Sequence, residues 1–228
     1  KHMEYICLDI ECTGLNKDED EIIEIAACRF NNTKIIDEFS TFVSHKKLIS
    51  EKIQNLTGIS NQMTEGAPEL ASILPQLKTF IADLPILGHN IQFDIGFLNA
   101  NQAEIQNPTI DSLPLSHMLF ASEESFSLEV LCQKYNKTYL PSHRAMDDVK
   151  ANIELYWVLL KQKENFQPAI LQFLANQLQN TAYFDLFDTQ GQAQTEFINP
   201  KHQEIQSIET QNSQNQGNHL FELPQEFK

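Results

Sequence analysis

A small set of acids and one histidine carry the types and spacings that metal or proton-transfer chemistry needs. In the stretch YICLDIECTG, residues 5–14, Asp9 and Glu11 interrupt an apolar run two positions apart. On a β-strand the side chains alternate between faces, so both carboxylates point the same way. They repel each other, and each is costly to desolvate unless something positive sits between them. A third acid, Asp94, stands in GHNIQFDIGFL, residues 88–98, four positions after Asn90, which is of a type suited to cap a helix. The stretch SHRAMDDVKAN, residues 142–152, sets His143 just before a predicted helix and Asp148 about one turn inside it. Asp147 and Asp148 are separated by about 100° on that helix, so only one of them aims at a given point. Singly, each feature has a plain explanation. A strand Asp-x-Glu is commonly a solvated edge, an early-helix Asp commonly a dipole partner, and a His beside an Arg commonly an exposed loop residue. The information lies in their combination and order.

The elements that must position these groups follow from hydrophobic periodicity. Tyr5–Ile10, Ile22–Phe30 and Lys34–Val43 have strand character, with turns at Gly14–Glu21 and Asn31-Asn32, which predicts a three-strand meander. From Ser50 the spacing becomes helical, and Leu70, Ile73, Leu74, Leu77, Phe80 and Ile81 form one stripe. A short strand at Pro85–Leu87 precedes a helix over 91–103, with Ile91, Ile95 and Leu98 toward the core and Asp94 on another side. A second short strand at Thr109–Asp111 leads into helices over 113–120 and 127–135. The final core helix is predicted over 145–162, with Val149, Ile153, Tyr156, Trp157 and Leu160 on its apolar side. Strands followed by alternating helices and strands imply an α/β domain with a mixed central sheet flanked by helices. The expected organisation is a domain over 4–165, an additional helix or extension over 166–190, and a flexible Gln/Asn-rich tail or linker over 191–228. No internal repeat is evident.

Composition narrows the class. With 228 residues, 41% of them hydrophobic, the chain suits one domain with an appendage. Cys7, Cys12, Cys28 and Cys132 show no paired spacing and read as reduced thiols, so a cytoplasmic location is expected. No apolar run approaches a membrane span, and no signal-peptide pattern opens the chain. Lys1-His2 ahead of Met3 read as a cloning remnant. A formal charge of −15 argues against a broad non-specific nucleic-acid surface, though not against a local site where bound cations reverse the field.

The ordered motifs resemble the DEDD exonucleases of the histidine subtype, the DnaQ-like 3′→5′ exonucleases with a ribonuclease-H-like fold. The first motif of that family is matched by Asp9-Ile10-Glu11-Cys12-Thr13-Gly14, the second by His89-Asn90-Ile91-Gln92-Phe93-Asp94, and the third by His143 through Asp148. LTGIS at 56–60, GAP at 66–68 and Asp111 in IDSLPLS also resemble it, so the likeness covers roughly residues 4–162. Cys12 departs mildly, since many relatives carry Thr or another small residue there. The resemblance implies that Asp9, Glu11, Asp94 and Asp148 hold two Mg²⁺ or Mn²⁺ ions, and all-oxygen ligation suits those metals. It implies that Asp9 bridges both ions, that Glu11 and Asp148 complete the first site and that Asp94 reaches the second largely through water. It implies His143 as general base, and a strand 3′ end held near Cys12 and Thr13 with Leu15 as a wedge or stacking residue. His89 and Asn90 either position the strand or cap their helix.

Those implications describe a hydrolase that releases nucleoside monophosphates from single-stranded DNA or RNA 3′ ends. A helicase or polymerase partner or fused domain is expected, because the family's domain often precedes such a region in a larger replication or repair protein. Two alternatives stay open: an oligoribonuclease or RNA-end trimmer, and an inactive nucleic-acid-binding module. Arg144 either touches a phosphate or is merely exposed, Phe93 and Phe97 are core or stacking residues, and Glu24 is a supporting partner of the acids or an ordinary strand residue.

Overall fold

A computed structural model describes residues 4–178 and 183–187. The expected 191–228 tail lies outside the described residues, as do 179–182 and 188–190 within the expected extension. Five strands form one mixed sheet in the order β3-β2-β1-β4-β5. β1 (Tyr5–Cys12), β2 (Ile22–Phe30) and β3 (Ile35–Phe42) make the antiparallel meander. β4 (Ile86–Gly88) runs parallel to β1, and β5 (Thr109–Asp111) parallel to β4.

The alternation of β1 explains how the sheet is covered. Ile6, Leu8 and Ile10 are buried on one face with Ile73, Leu77 and Ile81 of α2 (Leu70–Ile81) and Ile91 and Leu98 of α3 (Ile91–Ala100). Tyr5 and Cys7 are buried on the other face with residues of α4 (Ser112–Leu119), α5 (Leu128–Tyr135) and α6 (Ala145–Lys163). Asp9 and Glu11 continue this second set, so the two acids stand on the face that α6 crosses. A smaller cluster of Ile23, Ile49 and Ile59 packs beside the meander. It explains the LTGIS stretch: α1 (Glu51–Thr57) ends at Gly58 in the left-handed region, φ 70°, and the turn drives Ile59 inward.

Strand β1 and helix α6 are in step. Two strand residues advance about 6.6 Å and four helical residues about 6.0 Å, so every second residue of β1 can meet every fourth of α6. Tyr5 packs edge-on against Tyr156 at 5.8 Å between centroids, and Asn152 Nδ2 donates to Cys7 Sγ at 3.8 Å. One step further, Asp148 meets Asp9 and Glu11. The same register that packs two tyrosines places the carboxylates.

Beyond α6, α7 (Pro168–Gln177) and α8 (Phe184–Phe187) return to this face, where Leu171, Ala175, Leu186 and Phe187 are buried in the same cluster. The Tyr183 hydroxyl accepts from Asp111 N at 2.6 Å. Among the described residues, no helix is long and apolar enough to cross a membrane.

Two local expectations change. The helix expected over 91–103 stops at Ala100, because Asn101 Nδ2 takes the Phe97 carbonyl at 2.9 Å and Gln102 turns left-handed at φ 66°. Asn90 occupies the cap position, yet its side chain forms no capping bond. It is itself left-handed, φ 64°, and its backbone N–H goes to Asp111 Oδ1 at 2.8 Å.

Candidate active site

Three separate segments converge at the ends of β1 and β4. One oxygen each from Asp9, Glu11 and Asp148 lies within 4.8 Å of the other two. Asp94 approaches from α3, only 4% exposed, and Oδ1 accepts the Ile10 N–H at 3.1 Å. The sequence expectation set Asp94 on a side of α3 away from the core. Its burial shows that this side meets the end of β1, a neighbour that helix periodicity alone cannot name.

Electrostatics describe a site under like-charge stress. Burial, and next the negative charge of Asp94, hold the Asp9 carboxyl well above the usual range. Glu11 is pushed up to about 8 by burial and then by Asp148 and Glu24. Asp94 rises to about 7 through burial, opposed by the Ile10 N–H. Asp148 is raised by burial, against the opposing Ser142 N–H and His143. Four acids in this state hold protons or a cation. Among the described residues, the potential ligands grouped within 4.8 Å are the carboxylates of Asp9, Glu11 and Asp148, a donor type that suits a hard divalent ion. Among the described residues the cysteines are free and buried. Cys7 on the acids' face and Cys12 beside Glu11 in sequence both have thiols that burial and the neighbouring acids hold far into the protonated range, so they are poor ligands.

His143 is exposed and lies two residues before the start of α6, at φ 56°. Its neighbour Ser142 is fixed on α6, N–H to Asp148 Oδ1 at 2.9 Å and Oγ to Asp147 Oδ2 at 2.6 Å. Asp147 is thus the partner of a loop serine, while Asp148 alone faces the acids. On the other side of the cluster Thr13 is buried, and Leu15 projects into solvent at 84% exposure. The turn between them is closed by Asp20, which accepts from Thr13 Oγ1 at 3.0 Å, from Asn16 N at 2.9 Å and from Lys47 Nζ at 2.5 Å. A Cβ at Gly14 would collide with the Asp20 carboxylate, which is why glycine stands there. His89 has both ring nitrogens engaged, Nδ1 with Ser112 Oγ at 2.8 Å and Nε2 with the Phe126 carbonyl at 2.9 Å. Asn90 is exposed.

The sequence reading missed Asp20 and Asn152. Asp20 sits in an acid-rich turn where no single acid stands out. Asn152 does carry a signal, since it falls four residues after Asp148 on the same helical stripe. Phe97 is buried and Phe93 packs beside it at 4.9 Å, so this pair belongs to the core.

Residues 6–156 match the family model RNase_T, described as exonuclease. The PolC-type DNA polymerase III of Halalkalibacterium halodurans is 36% identical over 163 residues, covering 69% of this chain and 11% of that polymerase. That of Bacillus subtilis is 34% identical over 163 residues, with the same two shares, 69% and 11%. The chain therefore spans about a ninth of the length of these relatives. Among solved structures, Exonuclease X in complex with 5′-overhanging duplex DNA superposes with a TM-score of 0.60 at 22% identity, covering 71% of this chain and 94% of that one. Escherichia coli Exonuclease I in complex with a dA16 oligonucleotide gives 0.61 at 20% identity over 76% and 43%. The nuclease domain of 3′hExo, a DEDDh family member bound to rAMP, gives 0.60 at 18% identity over 70% and 92%. At these identities the structural matches speak for the fold, a mixed sheet of the ribonuclease-H-like kind.

Proposed function

The chain belongs to the RNase_T exonuclease family, of DnaQ-like type, and on that premise we propose that it is a metal-dependent 3′→5′ exonuclease that releases nucleoside monophosphates from single-stranded ends. The observation that carries this reading is the meeting of Asp9, Glu11 and Asp148 within 4.8 Å, with Asp94 buried beside them. Such a cluster is unfavourable by itself and suits a cation-dependent reaction.

The four acids would hold two Mg²⁺ or Mn²⁺ ions. When bound, such ions lower the pKa of water and offset charge growing on a phosphodiester. The protein's own residues do the rest. His143 takes the proton from the attacking water, a task for which imidazole is the natural side chain near neutral pH. The water oxygen bonds to phosphorus and the bond from phosphorus to the 3′ oxygen breaks; that oxygen takes a proton from solvent to become the 3′-hydroxyl of the shortened strand, and a nucleoside 5′-monophosphate departs. Asp94, pinned by the Ile10 N–H, stays aimed at the cluster before substrate arrives. The terminal nucleotide lies along the backbone at Cys12 and Thr13, with Leu15 as a wedge at its rim. Exposed Asn90 contacts the strand, and His89 holds the turn that presents it.

The similarity to PolC-type polymerases supports single-stranded DNA as substrate and a replication polymerase as fused or associated partner. The scope of the chain within a larger protein, with a catalytic domain over 4–165, an extension over 166–190 and a linker over 191–228, belongs to the same proposal. The test is a gel assay of 5′-labelled DNA and RNA oligonucleotides of equal sequence, with Mg²⁺, Mn²⁺ or EDTA, beside Asp148→Ala. The expected result is a metal-dependent ladder shortening from the 3′ end, stronger on DNA and absent in the variant. A ladder on RNA alone moves the assignment to RNA trimming, and an uncut strand under every metal overturns it.

A further inference from the structure

Glu24 is 3% exposed, directly opposite Glu11 in the β1–β2 register, and stands outside the cluster of three acids. It accepts three hydrogen bonds, from Arg144 Nε at 3.2 Å, Arg144 Nη2 at 2.8 Å and Ala145 N at 3.0 Å. Phe42 lies across from Glu24 on β3, and the Arg144 guanidinium sits over its ring at 5.4 Å. A row of Glu11, Glu24 and Phe42 thus crosses three strands, and Arg144 reaches the last two. The arginine is the residue after His143, and Ala145 opens α6.

We propose that Glu24 and Arg144 form a latch that positions His143 for proton transfer; the inference rests on the reading of His143 as general base. His143 is held between two fixed neighbours. Ser142 is tied to Asp147 and Asp148 on one side, and Arg144 to Glu24 on the other. Its backbone sits at φ 56°, an uncommon conformation for a non-glycine residue, and the bonds of its two neighbours hold the chain on either side of it. With both flanks fixed, the imidazole retains only its own side-chain rotations. Two nitrogens of the guanidinium fork are spent on Glu24, which ties the residue after His143 to the sheet. Arginine is required because lysine offers a point charge and cannot grip a carboxylate with two parallel donors.

Steady-state hydrolysis of a single-stranded DNA oligonucleotide by Arg144→Lys, beside wild type, separates these roles. Lysine leaves a cation beside the buried Glu24, so the fold persists and melting stays within a few degrees. The expected result is kcat lower by roughly ten- to a hundredfold, the scale of a misplaced catalytic group, with KM nearly unchanged. The double variant Glu24→Gln/Arg144→Met removes both charges in similar volume and should show the same loss of kcat. Wild-type kcat in either folded variant overturns the latch. So does a raised KM with a shallower salt dependence at unchanged kcat, which marks Arg144 as a phosphate contact. A wild-type chain that cuts no strand removes the reaction itself, whereas an active wild type with undiminished R144K removes the latch alone.

Discussion

Asp9, Glu11 and Asp148 bring one carboxylate oxygen each within 4.8 Å of the others, so removing any one charge changes the electrostatics of the rest. Strand alternation alone places Asp9 and Glu11 on one face, and the helix angle separates Asp147 from Asp148. Both inferences agree with the structure because they need only local geometry. The inward aim of Asp94 and the three-bond engagement of Glu24 were not legible, since each depends on a partner 84 to 121 positions away. The consequences for substitution differ residue by residue. Asp9→Ala should abolish turnover by orders of magnitude while the fold stays intact or melts higher, because it removes a charge that burial and the neighbouring acids disfavour. Near-wild-type hydrolysis by that variant would remove Asp9 from the reaction. His143→Ala should bind Mn²⁺ and strand normally yet turn over roughly 10²–10⁴-fold more slowly, the usual worth of a positioned base. A loss of Mn²⁺ binding, read by calorimetry, would instead make His143 a ligand.

Regular elements were legible wherever a stripe was long. The meander, α2 and α6 follow their periodicity, because each buries a continuous apolar face and the pattern states it. Junctions were not. The end of α3 and the start at Asn90 are decided by side-chain amides and by Asp111, which lies across the sheet edge on β5. Asn90 therefore offers a test of turn against contact. Its left-handed backbone, φ 64°, suits glycine better than any L-residue, so Asn90→Gly should melt at or slightly above wild type. Asn90→Ala should lose about 1 kcal/mol in denaturant titration through the same strain. If the asparagine side chain also holds the strand, Asn90→Gly will raise KM with no loss of stability. An unchanged KM confines Asn90 to the turn.

The formal charge of −15 looks adverse for a protein that handles nucleic acid, and the site accounts for part of it. Acids concentrated around Asp9 repel one another, so on the proposed metal site stability, pH and metal would be coupled. The folded Glu11 titrates near 8 against an ordinary 4.5, and Asp94 near 7 against 3.8. Between those limits the folded chain binds more protons than the unfolded one, so this contribution is complete at low pH and is lost as pH rises through 7 to 8. Opposite groups lie elsewhere. Asp20 is held low by Lys47, and Glu154 by three backbone N–H groups that outweigh its burial. Their contribution is present at neutral pH and disappears only in acid, below the ordinary carboxylate range. With metal chelated, melting temperature should therefore peak near pH 5 and fall toward pH 8. On the proposed metal site, Mg²⁺ or Mn²⁺ would bind the deprotonated acids, so either ion should restore stability strongly at pH 8 and little at pH 5, where protons already occupy the carboxyl groups. Asp148→Asn should flatten both responses by removing one carboxylate charge from the cluster. Scanning calorimetry at pH 5 and pH 8, with EDTA and with each ion, checks all of this in one series. A melting temperature at pH 8 that no divalent ion raises would mean that these four acids are not where the metal binds.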